Sequence, residues 1–131
     1  MVFQVDTSDV DALTSDLSAA PDRLGERVER IVERGAFNVR RDARRLIRGQ
    51  ITGTYLPHYP RSITYDIERA GDAVEAEIGP ESDMLQGGMG PGVEFGSANA
   101  PPFPHLIPAY EAELPRFHQF LAQASGEVLG G

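Results

Sequence analysis

The chain has 131 residues, 40% of them apolar, 24% charged and 8% aromatic, and carries a formal net charge of −8 at pH 7. That length makes one domain, 1–131, with a single core. No apolar run approaches the roughly 20 residues that cross a bilayer, no basic residue lies between Met1 and Val10 to suggest a secretory signal, and the absence of cysteine excludes disulfides, thiol redox chemistry and thiolate zinc sites.

Val2 to Val5 reads as a short extended arm, and Thr7 or Ser8 as the N-cap of a short helix through Ala19, with Val10, Leu13 and Leu17 on one face. Pro21 suits the first turn of a new helix. From Leu24 to Ile47, Leu24, Val28, Ile31, Val32, Val39, Ala43, Leu46 and Ile47 stay within an arc of roughly 160° at about 100° per residue. Arg23, Arg27, Arg30, Arg34, Arg41, Arg45 and Arg48 fall within an opposite arc of about 60°. As one continuous helix this stripe is roughly 38 Å long. Gly35 is the weak point of this helix, since glycine costs about 1 kcal/mol there, and a kink at it would shear the stripe into two patches. Asp42 falls inside the apolar arc and needs a partner there.

Gly49 to Pro60 reads as a loop. Ile63, Tyr65 and Ile67 alternate, then Val74, Ala76 and Ile78 after Ala70-Gly71-Asp72, which predicts a hairpin with one buried face. Gly79 to Gly92 is a Gly- and Pro-rich segment read as a flexible loop anchored by Met84, Leu85 and Met89. Val93-Glu94-Phe95 predicts a short third strand, with Phe95 in the core and Glu94 facing the other way, solvated or paired with an Arg of a neighbouring copy. Pro101 to Pro104, with Phe103, forms a stiff corner or a docking surface. A last helix starts near Pro108 and carries Tyr110, Leu114, Phe117, Leu121 and Ala124 on one face, with a kink or a restarted helix expected at Pro115. The expected fold is α+β: a long N-terminal amphipathic helix and a C-terminal helix packed on a small antiparallel β-sheet.

Charge is unevenly distributed. Asp22 to Arg48 holds nine arginines and five acids, +4, whereas the remainder holds three arginines and fifteen acids, −12. There is no lysine at all. Plentiful Arg, Ala and Gly without Lys fits either a GC-rich genome or a high-salt host.

Val93-Glu94-Phe95-Gly96-Ser97 resembles the V-E-F-G-T signature of the tail-completion (neck, or minor tail) proteins of long-tailed viruses. Pro104-His105-Leu106-Ile107-Pro108-Ala109 is similar to that family's P-F-L-R-P-A segment, and Thr52-Gly53 with Ser62-Ile63 to its T-G-x-L-R-x-S-I stretch. His105 stands where the family has Phe and Ile107 where it has Arg; Met89-Gly90 replaces a Tyr-Ala pair, and Leu56-Pro57-His58-Tyr59-Pro60 stretches the third motif. The resemblance implies a non-enzymatic virion protein at the neck. It would form a ring of six copies that joins the DNA-filled head to a long tail, contacts other neck and tail proteins, and lets DNA pass without sequence-specific binding.

The residues leave open what the stripe does. It is either a solvated face of Glu–Arg pairs, each worth a few tenths of a kcal/mol, or a surface for a partner. Arg27, Arg30, Arg34, Arg41, Arg45 and Arg48, together with Glu94, Met84, Leu85, Met89 and Phe103, are the candidate interface residues. In a ring, one copy's arginines meet a neighbour's acidic side; contact with passing DNA ranks lower, because no aromatics interleave with the stripe to stack on bases. His58, His105 and His118 lack the spacing of a helical zinc site, and no nucleophile elbow or phosphate-binding loop is present, so the sequence implies no enzyme, metal or cofactor. The alternatives to a neck protein are a tail-terminator ring or, in a different class, a small nucleic-acid-binding regulator using the arginine helix.

Overall fold

In the computed structural model, which describes residues 2–6, 20–51, 56–70, 73–98 and 100–130, the arginine-rich segment is one helix, α1, Ala20–Gln50. Its apolar stripe closes the core through Val28, Val32, Val39, Ala43 and Ile47, all fully buried. Burial of each valine or isoleucine side chain among them is worth about 1.5–3 kcal/mol. Gly35 does not interrupt the helix. It lies on the buried side, and the packed stripe on either side outweighs its backbone cost of about 1 kcal/mol.

A short helix α2, Tyr59–Ser62, leads into β2, Ile63–Ala70, which returns as β3, Ala73–Pro80. The predicted hairpin is present, with Tyr65 opposite Ile78 and Ile67 opposite Ala76. The N-terminal arm is strand β1, Val2–Asp6, and it pairs antiparallel with β3, so that β3 is central in the order β1-β3-β2. Helix α1 and the C-terminal helix α4, Leu106–Gly130, pack against each other, and α1 packs on the sheet, as expected for an α+β domain. The helix expected over Thr7 to Ala19, the Thr52-Gly53 motif and the Gly71-Asp72 turn lie outside the described residues.

Three expectations are corrected. Val93-Glu94-Phe95 is not a strand but part of helix α3, Gly90–Phe95, preceded by a 3-10 turn, Gly87–Met89. Pro91 fixes the φ angle of a helix start and has no N–H for a strand ladder, while both sides of β3 are already paired. On the helix Val93 and Glu94 turn inward and Phe95 outward, 69% exposed, so Phe95 anchors no core. Second, α4 begins at Leu106 rather than near Pro108. Third, α4 runs through Pro115 as one element and does not restart there; that ring sits on an exposed position, and the nearby residues Glu113 and Phe117 are buried. Between α3 and α4, Gly96 has φ +83°, and a Cβ there would press on the Pro102 nitrogen at 3.0 Å, so the motif glycine marks a turn closed to other residues.

Candidate functional site

The stripe forms the outer ridge of α1. Arg30, Arg34, Arg41, Arg45 and Arg48 are exposed and Arg27 is partly so. Strand β2 lies on one flank of the ridge. There the Arg40 guanidinium sits 4.7 Å from the Tyr65 ring centre and 5.2 Å from that of Phe37. Arg44 donates to the Ile63 carbonyl at 2.7 and 3.0 Å and to the Arg61 carbonyl at 3.3 Å. Partial burial, then the neighbouring charges of Arg40 and Arg48, hold Arg44 below the usual guanidinium range.

Helix α4 lies on the other flank and explains Asp42. The carboxylate is buried, accepting at Oδ1 from Arg41 Nε at 3.2 Å and Arg45 Nη2 at 3.3 Å, with Arg116 Nη2 3.8 Å from Oδ2. Glu113 of α4, 1% exposed, accepts from Asn38 Nδ2 at 2.9 Å and lies 2.7 Å from Arg116 Nη2. Arg41 and Arg45 are therefore engaged within their own chain. Arg30 has only a 3.9 Å approach to Glu26, and Arg34 and Arg48 have no ion pair among the described residues. One hint of this inter-helix network is legible in the sequence, a carboxylate at position 42 in an apolar arc; Glu113 and Arg116 lie about seventy residues away and left no pattern.

Aromatic rings do stand beside the arginines, contrary to expectation. One groove of about 360 Å³ is lined by Arg27, Arg30, Ile31, Arg34, Phe120 and Gln123, and a second of about 340 Å³ holds Arg30, Arg34, Phe37 and Tyr65 among its walls. Phe37 is 44% and Phe120 40% exposed. Phe120 reaches the ridge from α4, so helix-wheel spacing along α1 alone cannot reveal it.

The two family-like segments meet at Glu94. Its carboxylate, 4% exposed, accepts the backbone N–H of His105 at 3.0 and 3.2 Å, of Leu106 at 2.7 Å and of Ile107 at 3.4 Å. Pro108 has no N–H, and Ala109 donates to the His105 carbonyl at 3.3 Å. Every donor of the first turn of α4 is accounted for by one carboxylate, one proline and the first helical bond. The negative charge also faces the positive end of the helix dipole. Glu94 is thus a buried cap and not a residue for a neighbouring copy, because its carboxylate is already used inside the chain. Phe103 is likewise partly buried against the core, its N–H donating to the Val93 carbonyl at 2.7 Å, which makes the proline corner rigid.

His105 and Tyr59, both fully buried, complete this cluster. His105 Nδ1 donates to the Phe103 carbonyl at 2.8 Å and lies 3.0 Å from Glu94 Oε1; in the neutral ring Nε2 then accepts from Tyr59 Oη at 2.7 Å. Burial pushes His105 below its ordinary value of 6.5, against the opposing pull of the Phe103 carbonyl and the Glu94 charge. Burial, then the Glu94 charge, raises Tyr59. The folded chain keeps His105 neutral where the unfolded chain has bound a proton. Its stability is therefore complete above about pH 6.5 and declines as pH falls below that, by at most about 1.4 kcal/mol per unit. Urea midpoints measured from about pH 7 to about pH 5 should fall for the wild type, and less steeply for the Tyr59→Phe/His105→Phe pair, which leaves no orphan hydroxyl. Equal slopes for the two proteins would remove this role of His105.

Met84, Leu85 and Met89 are exposed between β3 and α3, Leu85 by 71%, with Phe95 beside them in sequence on the end of α3. The segment is tied turn by turn, by Met84 N–H to the Glu81 carbonyl at 3.1 Å and Gly87 N–H to the Met84 carbonyl at 3.0 Å. A groove of about 620 Å³ runs nearby, with Pro80, Gly87, Gly90, Phe95, Leu106 and Ile107 among its lining. Among the described residues no helix is long and apolar enough to cross a membrane.

Residues 11–96 match the protein family described as "Bacteriophage HK97-gp10, putative tail-component". No curated protein and no solved structure matches the chain. The matched span is well over half of the sequence and takes in α1, the hairpin and the V-E-F-G motif. The chain therefore belongs to the HK97-gp10-like family, and its role is that of a structural tail component of a tailed virus.

Proposed function

We propose that this protein is a neck or tail-completion component that assembles as a ring, six copies by the resemblance in sequence, where the DNA-filled head joins the tail. The observation that carries this reading is the ridge of α1, where Arg30, Arg34 and Arg48 project from a chain of net charge −8 without strong partners of their own. Exposed like charges in a row weaken a lone subunit and strengthen a contact with an acidic neighbour. Each copy then offers its ridge to the next, a head-to-tail contact that closes by rotation. The apolar rim of Met84, Leu85, Met89 and Phe95 faces an adjoining neck or tail protein, and genomic DNA passes through the ring without sequence-specific contact.

The test is assembly of the purified chain by mass photometry and electron microscopy. Reversing Arg41 and Arg45 would place two carboxylates beside buried Asp42 and damage the fold itself. The informative variant is Arg30→Glu/Arg34→Glu/Arg48→Glu. It should leave the urea midpoint nearly unchanged, since exposed pairs contribute about 0–1 kcal/mol, and abolish rings. Rings formed by that variant at wild-type concentrations would reject the ridge as the contact.

A second reading is favoured by the exposed rings of Phe37 and Phe120 beside the arginines. Guanidinium groups flanked by aromatics suit phosphate contact and base stacking, as a nucleic-acid-binding regulator needs. Salt-dependent binding of DNA by a monomeric wild-type chain would support it over the ring.

A further inference from the structure

The hairpin register sets like charges against each other. Asp66 lies opposite Glu77, and Glu68 opposite Glu75. Val74, Ala76 and Ile78 of β3 are buried on the inner face, so these four acids alternate onto the outer one. Asp66, Glu68 and Glu77 are exposed and Glu75 partly so. Among the described residues none of the four takes part in an ion pair. Directly opposed carboxylates destabilise a hairpin, and no cation among the described residues relieves them. Helix α1 packs on the inner face of the sheet, and its arginine ridge is exposed between β2 and α4. The acidic outer face of the sheet and the basic ridge are thus two separate surfaces of the molecule.

From this geometry we infer that the outer face of the β2–β3 hairpin is the docking surface for a second copy's α1, with Arg30 and Arg34 entering between the carboxylates of Asp66, Glu68, Glu75 and Glu77. The inference deepens the ring reading and rests on it, because it names the surface that receives the ridge. The spacings agree. Two residues along a strand advance about 7 Å, and Arg30 to Arg34 advances about 6 Å along the helix. A guanidinium seated over one cross-strand pair therefore brings the next over the adjacent pair. Arg30 and Arg34 are, with Arg48, the members of the ridge left most available, whereas Arg41 and Arg45 are held by Asp42. Each copy carries one donor and one acceptor surface at different places on the molecule, the arrangement from which head-to-tail rings are built.

Two charge-reversed chains test it. One is Arg30→Glu/Arg34→Glu, acidic on both surfaces. The other is Asp66→Arg/Glu68→Arg/Glu75→Arg/Glu77→Arg, basic on both. Each alone should associate at least about tenfold more weakly than the wild type. Mixed in equal amounts they should assemble again, each sheet receiving the other chain's ridge, and raised salt should dissolve the mixed and wild-type rings alike. Restoration on mixing also shows that both variants fold. Undiminished assembly of Asp66→Arg/Glu68→Arg/Glu75→Arg/Glu77→Arg alone would overturn the docking surface while leaving the ring intact. A mixture that stays monomeric, with urea midpoints equal to the wild type's, would do the same. A wild-type chain that is monomeric at the highest attainable concentration would instead reject the ring reading and this inference together.

Discussion

Glu94→Ala should be the most damaging single substitution in the motif, costing about 3–5 kcal/mol. Loss of an ordinary exposed helix cap costs about 1 kcal/mol. Here the acceptor is charged and buried, and serves the N–H groups of His105, Leu106 and Ile107 at once. Each buried donor left unmet costs about 1–3 kcal/mol, partly recovered where water can enter. The total is a large share of the roughly 5–15 kcal/mol that holds a domain together. Glu94→Gln keeps one carbonyl oxygen for part of the set and should fall between. Phe95→Ala, one residue on, should stay within about 0.5 kcal/mol because its ring is exposed. Urea unfolding measures all three, and amide exchange at Leu106 and Ile107 should accelerate selectively in Glu94→Ala. A Glu94→Ala midpoint equal to that of Phe95→Ala would show that the carboxylate works elsewhere than at the helix end.

That contrast shows why the motif was read only in part from sequence. Strand and helix alternations with periods of 2 and 3.6 carry through the hairpin and α1, where many residues repeat one signal, and both elements were legible. Val93-Glu94-Phe95 offers three residues, too few for a period, and their β-propensity lost to the helix start fixed by Pro91. The capping role of Glu94 had one faint signature. The last helix begins after Pro104 with His105 at its cap, and no Ser, Thr, Asp or Asn stands there to receive its first N–H groups. A helix without a local cap needs an acceptor from elsewhere. Tyr59 illustrates a different limit. It sits in the stretch Leu56 to Pro60 that departs from the family pattern, and it bonds to His105, which departs from it too. Two departures far apart in sequence form one contact, so the His105 hydrogen-bonding group and its Tyr59 partner belong together. The ridge itself was legible down to its residues. What it faces was not, because the opposed carboxylates of the hairpin depend on a register that only strand pairing reveals.

The second large effect is expected where α1 and α4 meet. Arg116→Ala should destabilise the chain by about 2–3 kcal/mol. Glu113 is buried, and Arg116 is its one cationic partner among the described residues, at 2.7 Å; Asn38 supplies a single neutral hydrogen bond. Removing one member of a buried pair costs about 3–5 kcal/mol when both are enclosed. The Arg116 side chain is 48% exposed, so solvent screening lowers the expected figure. Asp42 loses a more distant neighbour in the same step, at 3.8 Å, but keeps Arg41 and Arg45. The penalty therefore arises mainly at Glu113. Glu113→Gln in the Arg116→Ala background keeps an acceptor for Asn38 and removes the stranded charge, and should recover most of the loss. The double-mutant cycle should give a coupling of about 1–2 kcal/mol. Additive effects of the two substitutions would mean that the two helices are held by their apolar contacts alone, with the carboxylate at position 113 indifferent to its cation.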